Sequence, residues 1–250
     1  AVYLVGDHTI FRYQWDPDAR RLVRDEGWQH RYRTHSGQSY GWDPVIEGGH
    51  AWFLDNGHHD YQLSMLGAGI APGPIRLHRV SLADATDAAS VEVSGLPHGT
   101  CTNPPLYDPE RRIALAYDSG NGIVGAWRLD DSGALHPLWK KPLGHAAHMI
   151  RYAGTGEVVV GDFTDRLTPR SPRLRAAGRR LSGLLLHERV RPLLSRLSRE
   201  DVVVLELETG EERARASVPS IFQSVVFPAP GWKRDFYYCS FSTIARLAVG

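Results

Sequence analysis

The sequence predicts an all-β protein made of repeated four-stranded antiparallel sheets, and three observations lead to this prediction. Apolar runs rich in Val, Ile, Tyr, Phe and Trp recur along the whole 250-residue chain. They alternate with Gly, Pro and Asp turns, which is the pattern of short strands. One motif occurs three times, beginning at Asn103, His148 and Gln223. The polar residues that end the apolar runs recur at intervals of about 42 residues once two insertions are set aside, which indicates a structural repeat.

Each copy of the motif has a polar residue, an aromatic residue four positions later, a turn, and an apolar run that ends in a small polar group. The copies span 103–118, 148–162 and 223–240. The aromatic residues are Tyr107, Tyr152 and Phe227. Asp43 aligns more loosely as a fourth member, with Glu47 in place of the aromatic residue.

In chain order, the ends of the apolar runs mark five units. The marks are Asp7, Asp55, Asp118, Asp162 and Ser240. A further strand is predicted after each mark, at 10–15, 75–82, 123–129, 202–207 and 244–249. Tight turns at 16–18, 130–133 and 208–210 then lead to predicted strands at 22–24, 135–140 and 213–218. The first unit lacks its opening strand and the last unit its closing strand.

A four-stranded unit of about 40–45 residues with a fixed internal order is typical of a β-propeller blade. A β-sandwich or an open stack of hairpins is the alternative. The repeat resembles the broad β-propeller superfamily with quinoprotein-like or YVTN-like repeats, as in residues 202–211. The resemblance implies one propeller domain over residues 1–250, either closed by its two ends or part of a longer propeller. Because the chain begins without Met or a signal-like segment, we expect a processed product or an excerpt.

Composition sets the broad class of the protein. With 42% hydrophobic and 23% charged residues, the chain has the composition of a soluble globular protein. No apolar stretch approaches the roughly 18 residues of a membrane-spanning helix. Cys101 and Cys239 are too few for a disulfide framework, so the cysteine content does not indicate the cellular compartment of the protein. The chain has no glycine-rich nucleotide motif and no nucleophile elbow around Ser119 or Ser240.

The motif also predicts a site, because the first strands of propeller blades line a central channel. Residues that enter those strands then converge on one channel mouth. Asp43, Asn103, His148 and Gln223 hold this position and differ in chemistry, which favours a small polar or anionic ligand. The alternative is that these side chains cap strands or bind channel water.

Metal binding and catalysis are hypotheses about the same residues. Carboxylate and amide oxygens suit Ca²⁺ or Mg²⁺, so Asp43 and Asn103, with His148, are the predicted metal ligands. A metal here would resemble the six-bladed calcium-dependent lactonases, and a His with Mg²⁺ would resemble the virginiamycin-type lyase propellers. These resemblances imply a lactonase-like hydrolase or a lyase with His148 and Asp43 in acid–base roles. Whether the protein is an enzyme stays open.

We call Asp43, Asn103, His148 and Gln223 the ring residues. Other candidate residues lie near them in the sequence. His98 and His145 are predicted to contact the ligand, and Cys101 with His98 could form a nucleophile pair, although an inert buried thiol is the simpler interpretation. His145 and His148 would share a zinc-like face on a helix, but the following strand predicts that they diverge. The histidine loop His50, His58, His59 and Asp60 has a metal-site alternative. Inter-blade packing is predicted for Trp15, Trp42, Trp52, Trp127, Trp139 and Trp232.

Residues 164–200 interrupt the strand rhythm. They carry ten Arg against three carboxylates, a local charge of +7 that leaves −6 for the rest of a chain of net charge +1. Nine Leu and Val residues at helical spacing within 166–199 predict an Arg-rich amphipathic helical pair. This insertion is a candidate lid or docking site for a partner protein or an anionic membrane surface. Nucleic acid is disfavoured, because no aromatic residues are interleaved with the arginines. A non-enzymatic scaffold acting through the insertion is therefore the alternative function.

Overall fold

Every described element of secondary structure is a β-strand. The computed structural model describes residues 1–6, 8–32, 44–55, 74–97, 99, 101, 104–119, 121–143, 149–162, 199–219, 229–230, 235–239 and 244–248. These residues form 18 strands and contain no helix. The strands assemble into five separate antiparallel sheets, and in each sheet neighbouring strands are consecutive in the chain. This order is the meander expected of a propeller blade.

The five sheets follow one another along the chain. Sheet one contains β1 (Val2–Val5), β2 (Thr9–Asp16) and β3 (Arg21–Arg31). Sheet two contains β4 (Val45–Glu47), β5 (His50–Asp55), β6 (Arg76–Ser81) and β7 (Ala88–Glu92), and sheet three contains β8 (Leu106–Asp108), β9 (Ile113–Asp118), β10 (Ile123–Leu129) and β11 (Leu135–Pro142). Sheet four contains β12 (Met149–Tyr152), β13 (Glu157–Asp162), β14 (Arg199–Glu206) and β15 (Glu212–Pro219). Sheet five contains β16 (Ala229–Pro230), β17 (Phe236–Cys239) and β18 (Ile244–Leu247).

The predicted all-β repeat agrees with these sheets. Within the described residues, sheets two, three and four have four strands each, and sheets one and five have three. Asp55, Asp118 and Asp162 are the last residues of β5, β9 and β13, as the repeat predicts. The predicted bounds of β10 are confirmed residue for residue, whereas β3 continues to Arg31, well beyond the predicted 22–24.

The chain divides into two compact units. One comprises Ala1–Pro142 with Leu207–Gly210, and the other comprises Leu143–Glu206 with Glu211–Gly250. Each unit has its own apolar packing. In the second unit, Tyr152, Val159, Val202 and Val204 form a buried cluster.

In the first unit, sheets one and two pack through alternate side chains of their strands. Ile10 and Trp28 of sheet one lie in one buried cluster with Phe53 and Val80 of sheet two. The indole Nε1 of Trp28 donates a hydrogen bond to the carbonyl oxygen of Ser81, 3.1 Å away. The indole therefore contributes apolar area and also satisfies its one polar group across the interface.

Sheets two and three pack through a second cluster. The rings of Trp52 and Tyr107 stack with their centroids 4.3 Å apart, and Trp127 joins the same cluster. Tyr107 is the aromatic residue of the first motif copy, and it is almost fully buried. The constant aromatic position of the motif therefore contributes to the contact between sheets, as does Tyr152 in the second unit, whose hydroxyl donates to the carbonyl oxygen of Asp235.

The tryptophans only partly follow the prediction of inter-sheet packing. Trp52 and Trp127 are buried, and Trp139 donates through Nε1 to the carbonyl oxygen of Leu207. Trp15 does not follow it, because 58% of its surface is exposed. It points away from the cluster that contains Trp28, since residues of opposite parity on sheet one face sheet two. Trp42 and Trp232 lie outside the described residues.

The predicted insertion is a connection within sheet four. β13 and β14 pair directly, with Asp162 opposite Asp201, so the chain leaves the sheet and returns at neighbouring positions. β14 already includes Arg199 and Glu200, the last two residues of the predicted insertion. Of the helical pair predicted within 166–199, residues 166–198 lie outside the described residues, and Arg199 belongs to β14.

Candidate functional site

In each of sheets two, three and four, the second strand ends at an aspartate. In sheet three, Leu106 of β8 pairs with Leu115 of β9 and Asp108 with Ile113, so β8 begins where β9 finishes at Asp118. The antiparallel pairs β4–β5 and β12–β13 give the same relation for Asp55 and Asp162. We call this end of a sheet its aspartate end. The first strand of each of these sheets starts there.

At the aspartate end of sheet three, the Asp118 carboxylate is fully buried and hydrogen-bonded. The Ser94 hydroxyl donates to Oδ2 at 2.5 Å, and the Asn121 side-chain amide donates to the same oxygen at 2.8 Å. The Asn121 backbone N–H donates to Oδ1 at 3.1 Å. The two bonds from Asn121 close the turn that follows Asp118, and the bond from Ser94 joins that turn to the connection between sheets two and three.

Cys101 connects this network with sheet two. Its thiol is buried in the cluster between the two sheets, and burial raises its pKa well above the ordinary value. The negative charges of Asp55 and Asp118 raise the pKa further. Two consequences follow. The aspartate ends of sheets two and three adjoin around this thiol, and the thiol stays protonated, which favours the inert interpretation over a nucleophile.

At the aspartate end of sheet two, Asp55 faces a buried histidine. Nε2 of His78 lies 3.6 Å from Oδ2 of Asp55, and each side chain is about 95% buried. This separation is too long for a hydrogen bond, and His78 Nε2 has no other partner among the described residues. The ring of His78 stacks on Phe53 and lies beside Tyr32. Burial lowers the pKa of His78, so the imidazole is neutral at neutral pH.

None of the predicted site residues lies within the described part of the chain. Asp43, His98, Asn103, His145, His148 and Gln223 all lie outside the described residues. The structure therefore leaves untested the predicted ring, the acid–base pair and the metal set. Among the residues that it does describe, no three His, Cys, Asp or Glu side chains are grouped so that they could hold a metal ion.

The predicted histidine loop is also only partly described. His50 begins β5 and so lies at the opposite end of sheet two from Asp55, while 56–73 lie outside the described residues. Its ring contacts the rings of Trp52 and Tyr107. Burial, together with the positive charge of Arg79, lowers its pKa. His50 is thus part of the packing between sheets two and three.

Sequence reasoning missed Ser94, Asn121 and His78. Asn121 follows Asp118 by three residues, which is the spacing of a turn closed by an aspartate, so this contact had a local signal. Ser94 and His78 had none. Ser94 lies 24 residues from Asp118, and His78 reaches Asp55 through the register that places it opposite Phe53.

Comparison with known proteins gives matches among solved structures only. BamB from Moraxella catarrhalis matches with a TM-score of 0.47 and 11% identity over 98% of this chain and 55% of that protein. The propeller domain of the trilobed protease from Pyrococcus furiosus matches with a TM-score of 0.40 and 9% identity over 83% and 57%. The acylaminoacyl peptidase of Pyrococcus horikoshii matches with a TM-score of 0.44 and 10% identity over 83% and 32%. The chain thus spans about a third to three fifths of their lengths.

All three TM-scores lie below 0.5. At these identities and TM-scores, none of the activities of those proteins is transferred to this chain. No family model and no curated protein matches the chain. Within the described residues there is no helix with the length and hydropathy needed to cross a bilayer. The strand order of the five sheets agrees with the propeller fold predicted from the sequence.

Proposed function

We propose that the chain is a ligand-binding β-propeller whose site lies at the aspartate ends of its sheets. The observation that carries this proposal is the position of Gly99, where a Cβ would lie 2.4 Å from Cγ1 of Ile75, directly before β6 of sheet two, and 3.0 Å from Oδ2 of Asp118 in sheet three. It supports an arrangement in which the ends of neighbouring sheets adjoin. Asp43, Asn103 and His148 lie two, three and one residues before the first residues of β4, β8 and β12, the strands that begin at this end.

The chemistry of the ring residues indicates the ligand class. A carboxylate, two side-chain amides and an imidazole offer both hydrogen-bond donors and acceptors, which fits a small polar or anionic molecule. His98 and His145 would add donors in the same connections. A divalent cation on Asp43, Asn103 and His148, and acid–base catalysis by His148 with Asp43, extend the same proposal towards a hydrolase or lyase.

Titration of the 250-residue chain tests this function, with inorganic phosphate as the anionic probe and Ca²⁺ or Mg²⁺ as the cation probe. We expect His148→Ala and Asn103→Ala to weaken binding by at least tenfold, since each removes one hydrogen-bonding group of the site. The matched control is Asp130→Asn, because Asp130 lies in the β10–β11 turn, which is the opposite end of sheet three. Equal binding by all four proteins would refute the proposed site.

The alternative is a scaffold that acts through the basic insertion, and one observation favours it. β13 and β14 pair from Glu157–Glu206 to Asp162–Asp201, so the 36 residues 163–198 connect neighbouring positions of sheet four. A long connection between neighbouring strand ends is a common place for a binding function, here for a partner protein or an anionic membrane surface. Cosedimentation of the chain with phosphatidylserine vesicles, before and after deletion of 163–198, tests the membrane form of this alternative.

The two functions predict opposite results. Under the channel-site function, His148→Ala abolishes probe binding and the deletion leaves it intact. Under the scaffold function, the deletion abolishes vesicle or partner binding and His148→Ala leaves it intact. Metal analysis with and without a chelator tests the metal hypothesis separately. Thermal unfolding is a second readout, because a bound ion raises the unfolding temperature. No retained ion and no thermal response to added ion would refute the metal hypothesis alone.

A further inference from the structure

The Asp118 carboxylate joins three segments of the first unit. It ends β9, it accepts two hydrogen bonds from Asn121 in the turn before β10, and it accepts one from Ser94 in the connection from β7 to β8. Asn121 also donates to the carbonyl oxygen of Pro97 at 3.1 Å, so it binds that connection directly. The Ser94 hydroxyl in turn accepts from the backbone N–H of Leu96 at 3.0 Å.

The connection also passes directly against this carboxylate. A Cβ atom on Gly99 would lie 3.0 Å from Oδ2 of Asp118 and 2.4 Å from Cγ1 of Ile75. There is no space for a side chain at this position. The backbone of Gly99 lies between the Asp118 carboxylate and the side chain of Ile75, the residue directly before β6. Hydrogen bonds to a buried carboxylate are stronger than those between neutral groups, so this set fixes the connection firmly.

We infer that Asp118, with Ser94 and Asn121, is a positioning group that sets where the chain enters β8 at the aspartate end. The inference rests on the proposed function, because that entry leads to Asn103. Asp118 does not itself contact the ligand in this account. Its part is to hold the backbone from which the ligand-binding group projects, which keeps that group close to its binding geometry before the ligand arrives.

Asp130 provides the contrast that makes this role specific. It also accepts several hydrogen bonds, from the backbone and hydroxyl of Ser132, the backbone of Ala134 and the ring of His136. All of these partners lie within six residues of Asp130. Asp118 instead reaches Ser94, which lies 24 residues away in the connection between two sheets. The first carboxylate closes a turn, and the second joins separate segments.

The test compares Ser94→Ala, which removes the hydroxyl, with Ser94→Thr, which keeps it. Ser94 is half-buried in a connection, so neither substitution removes a core side chain. Asp118→Asn is a second variant, and Asp130→Asn is the control. Hydrogen exchange of the amides in 93–101 reports on the connection, and phosphate titration of the 250-residue chain reports on the site. We expect Ser94→Ala and Asp118→Asn to raise the exchange rate at least tenfold and to weaken phosphate binding at least tenfold. Ser94→Thr should keep both values close to those of the unsubstituted chain.

The two measurements separate the inference from the function beneath it. Faster exchange with unchanged phosphate affinity would refute the positioning role and leave the proposed function standing. Unchanged exchange in Ser94→Ala and Asp118→Asn would mean that the hydrogen bonds of Asp118 do not hold the connection in place, and would refute the positioning role. If the unsubstituted chain binds neither phosphate nor cation, the proposed function fails and the positioning role fails with it. An equal loss of affinity in Asp130→Asn would show a general effect on the sheet and would also overturn the inference.

Discussion

At the scale of single residues, two buried carboxylates occupy equivalent places and have different surroundings. Asp118 is surrounded by hydroxyl and amide donors, whereas Asp55 faces the neutral ring of His78 at 3.6 Å. A buried polar atom without a hydrogen bond costs about 1–3 kcal/mol. The Nε2 atom of His78 is therefore a local weakness in the contact between sheets one and two.

The neutral state of His78 predicts an acid-sensitive fold. Its pKa is lowered from 6.5 chiefly by burial, so the unfolded chain takes up the proton at a higher pH than the folded one. The stability that neutral His78 contributes is therefore complete above about pH 6.5 and is lost as the pH falls below it. We expect the free energy of unfolding, measured by urea titration, to decrease between about pH 7 and about pH 5.

His78→Gln isolates this contribution. His30 and His50 also have lowered pKa values because of burial, so some decrease remains in any variant that keeps them. Glutamine does not titrate, and the decrease between the two pH values should be smaller in the variant than in the unsubstituted protein. Equal slopes in the two proteins would mean that His78 takes up no proton on unfolding, contrary to its burial.

Gly48 and Gly49 form a matched pair for a steric prediction. Both have positive φ angles, +60° and +77°. A Cβ on Gly48 would lie 2.5 Å from Cε1 of Tyr107, whereas a Cβ on Gly49 would meet nothing within 4 Å. Alanine at either position costs roughly 1–2 kcal/mol of backbone strain. At Gly48 the displaced Tyr107 ring adds about 1–3 kcal/mol more.

Urea unfolding of Gly48→Ala and Gly49→Ala measures this difference directly. The first variant should be less stable than the second by at least about 1 kcal/mol, since only the first disturbs the Tyr107–Trp52 stack. Equal losses would contradict the packing of the β4–β5 turn against sheet three.

At the scale of elements, sequence patterning predicted the strands that carry apolar runs and missed those that do not. The run 123–129 predicts β10 without error because its residues are mostly buried. β3 was predicted at 22–24 alone, because its remaining residues include Asp25, Glu26 and Gly27, which are typical of turns. The strand continues because Trp28 is anchored in the cluster shared by sheets one and two. A contact far along the chain thus overrides the local preference.

Sheet four gives a prediction about the insertion. Replacement of 163–198 by Asn-Gly leaves a loop of about four residues with Arg199 and Glu200, a common hairpin length. Each doubling of loop length costs about 0.6 kcal/mol, so shortening the loop should stabilise the sheet by up to roughly 2 kcal/mol. Thermal unfolding of the deletion variant should show an unchanged or higher transition temperature. A large decrease would mean that the insertion packs on the fold and contributes to it.

At the scale of the whole molecule, the repeat predicted the sheets but could not predict the contacts between them. The motif located the strand-ending aspartates and the aromatic positions of Tyr107 and Tyr152, because these recur at fixed spacing. It gave no sign of Ser94 beside Asp118 or of His78 beside Asp55. Those contacts depend on how sheets adjoin, which periodicity within one chain segment does not encode. The predicted ring of Asp43, Asn103, His148 and Gln223 stays a prediction, because these four residues lie outside the described part of the chain.

The proposed site requires these ring residues to converge at the aspartate ends, and pairwise cross-linking measures their convergence. Cysteines at positions 103, 148 and 223, introduced two at a time, would be treated with a thiol reagent that spans about 10 Å, the widest gap that side chains with a hydrogen-bond reach of about 3 Å could bridge through a small ligand. A cysteine at Ser132, in the opposite turn of sheet three, is the negative control. Convergence predicts intramolecular cross-links for all three ring pairs and none between 103 and 132. Failure of the ring pairs to react, with the cysteines shown to be accessible, would contradict it.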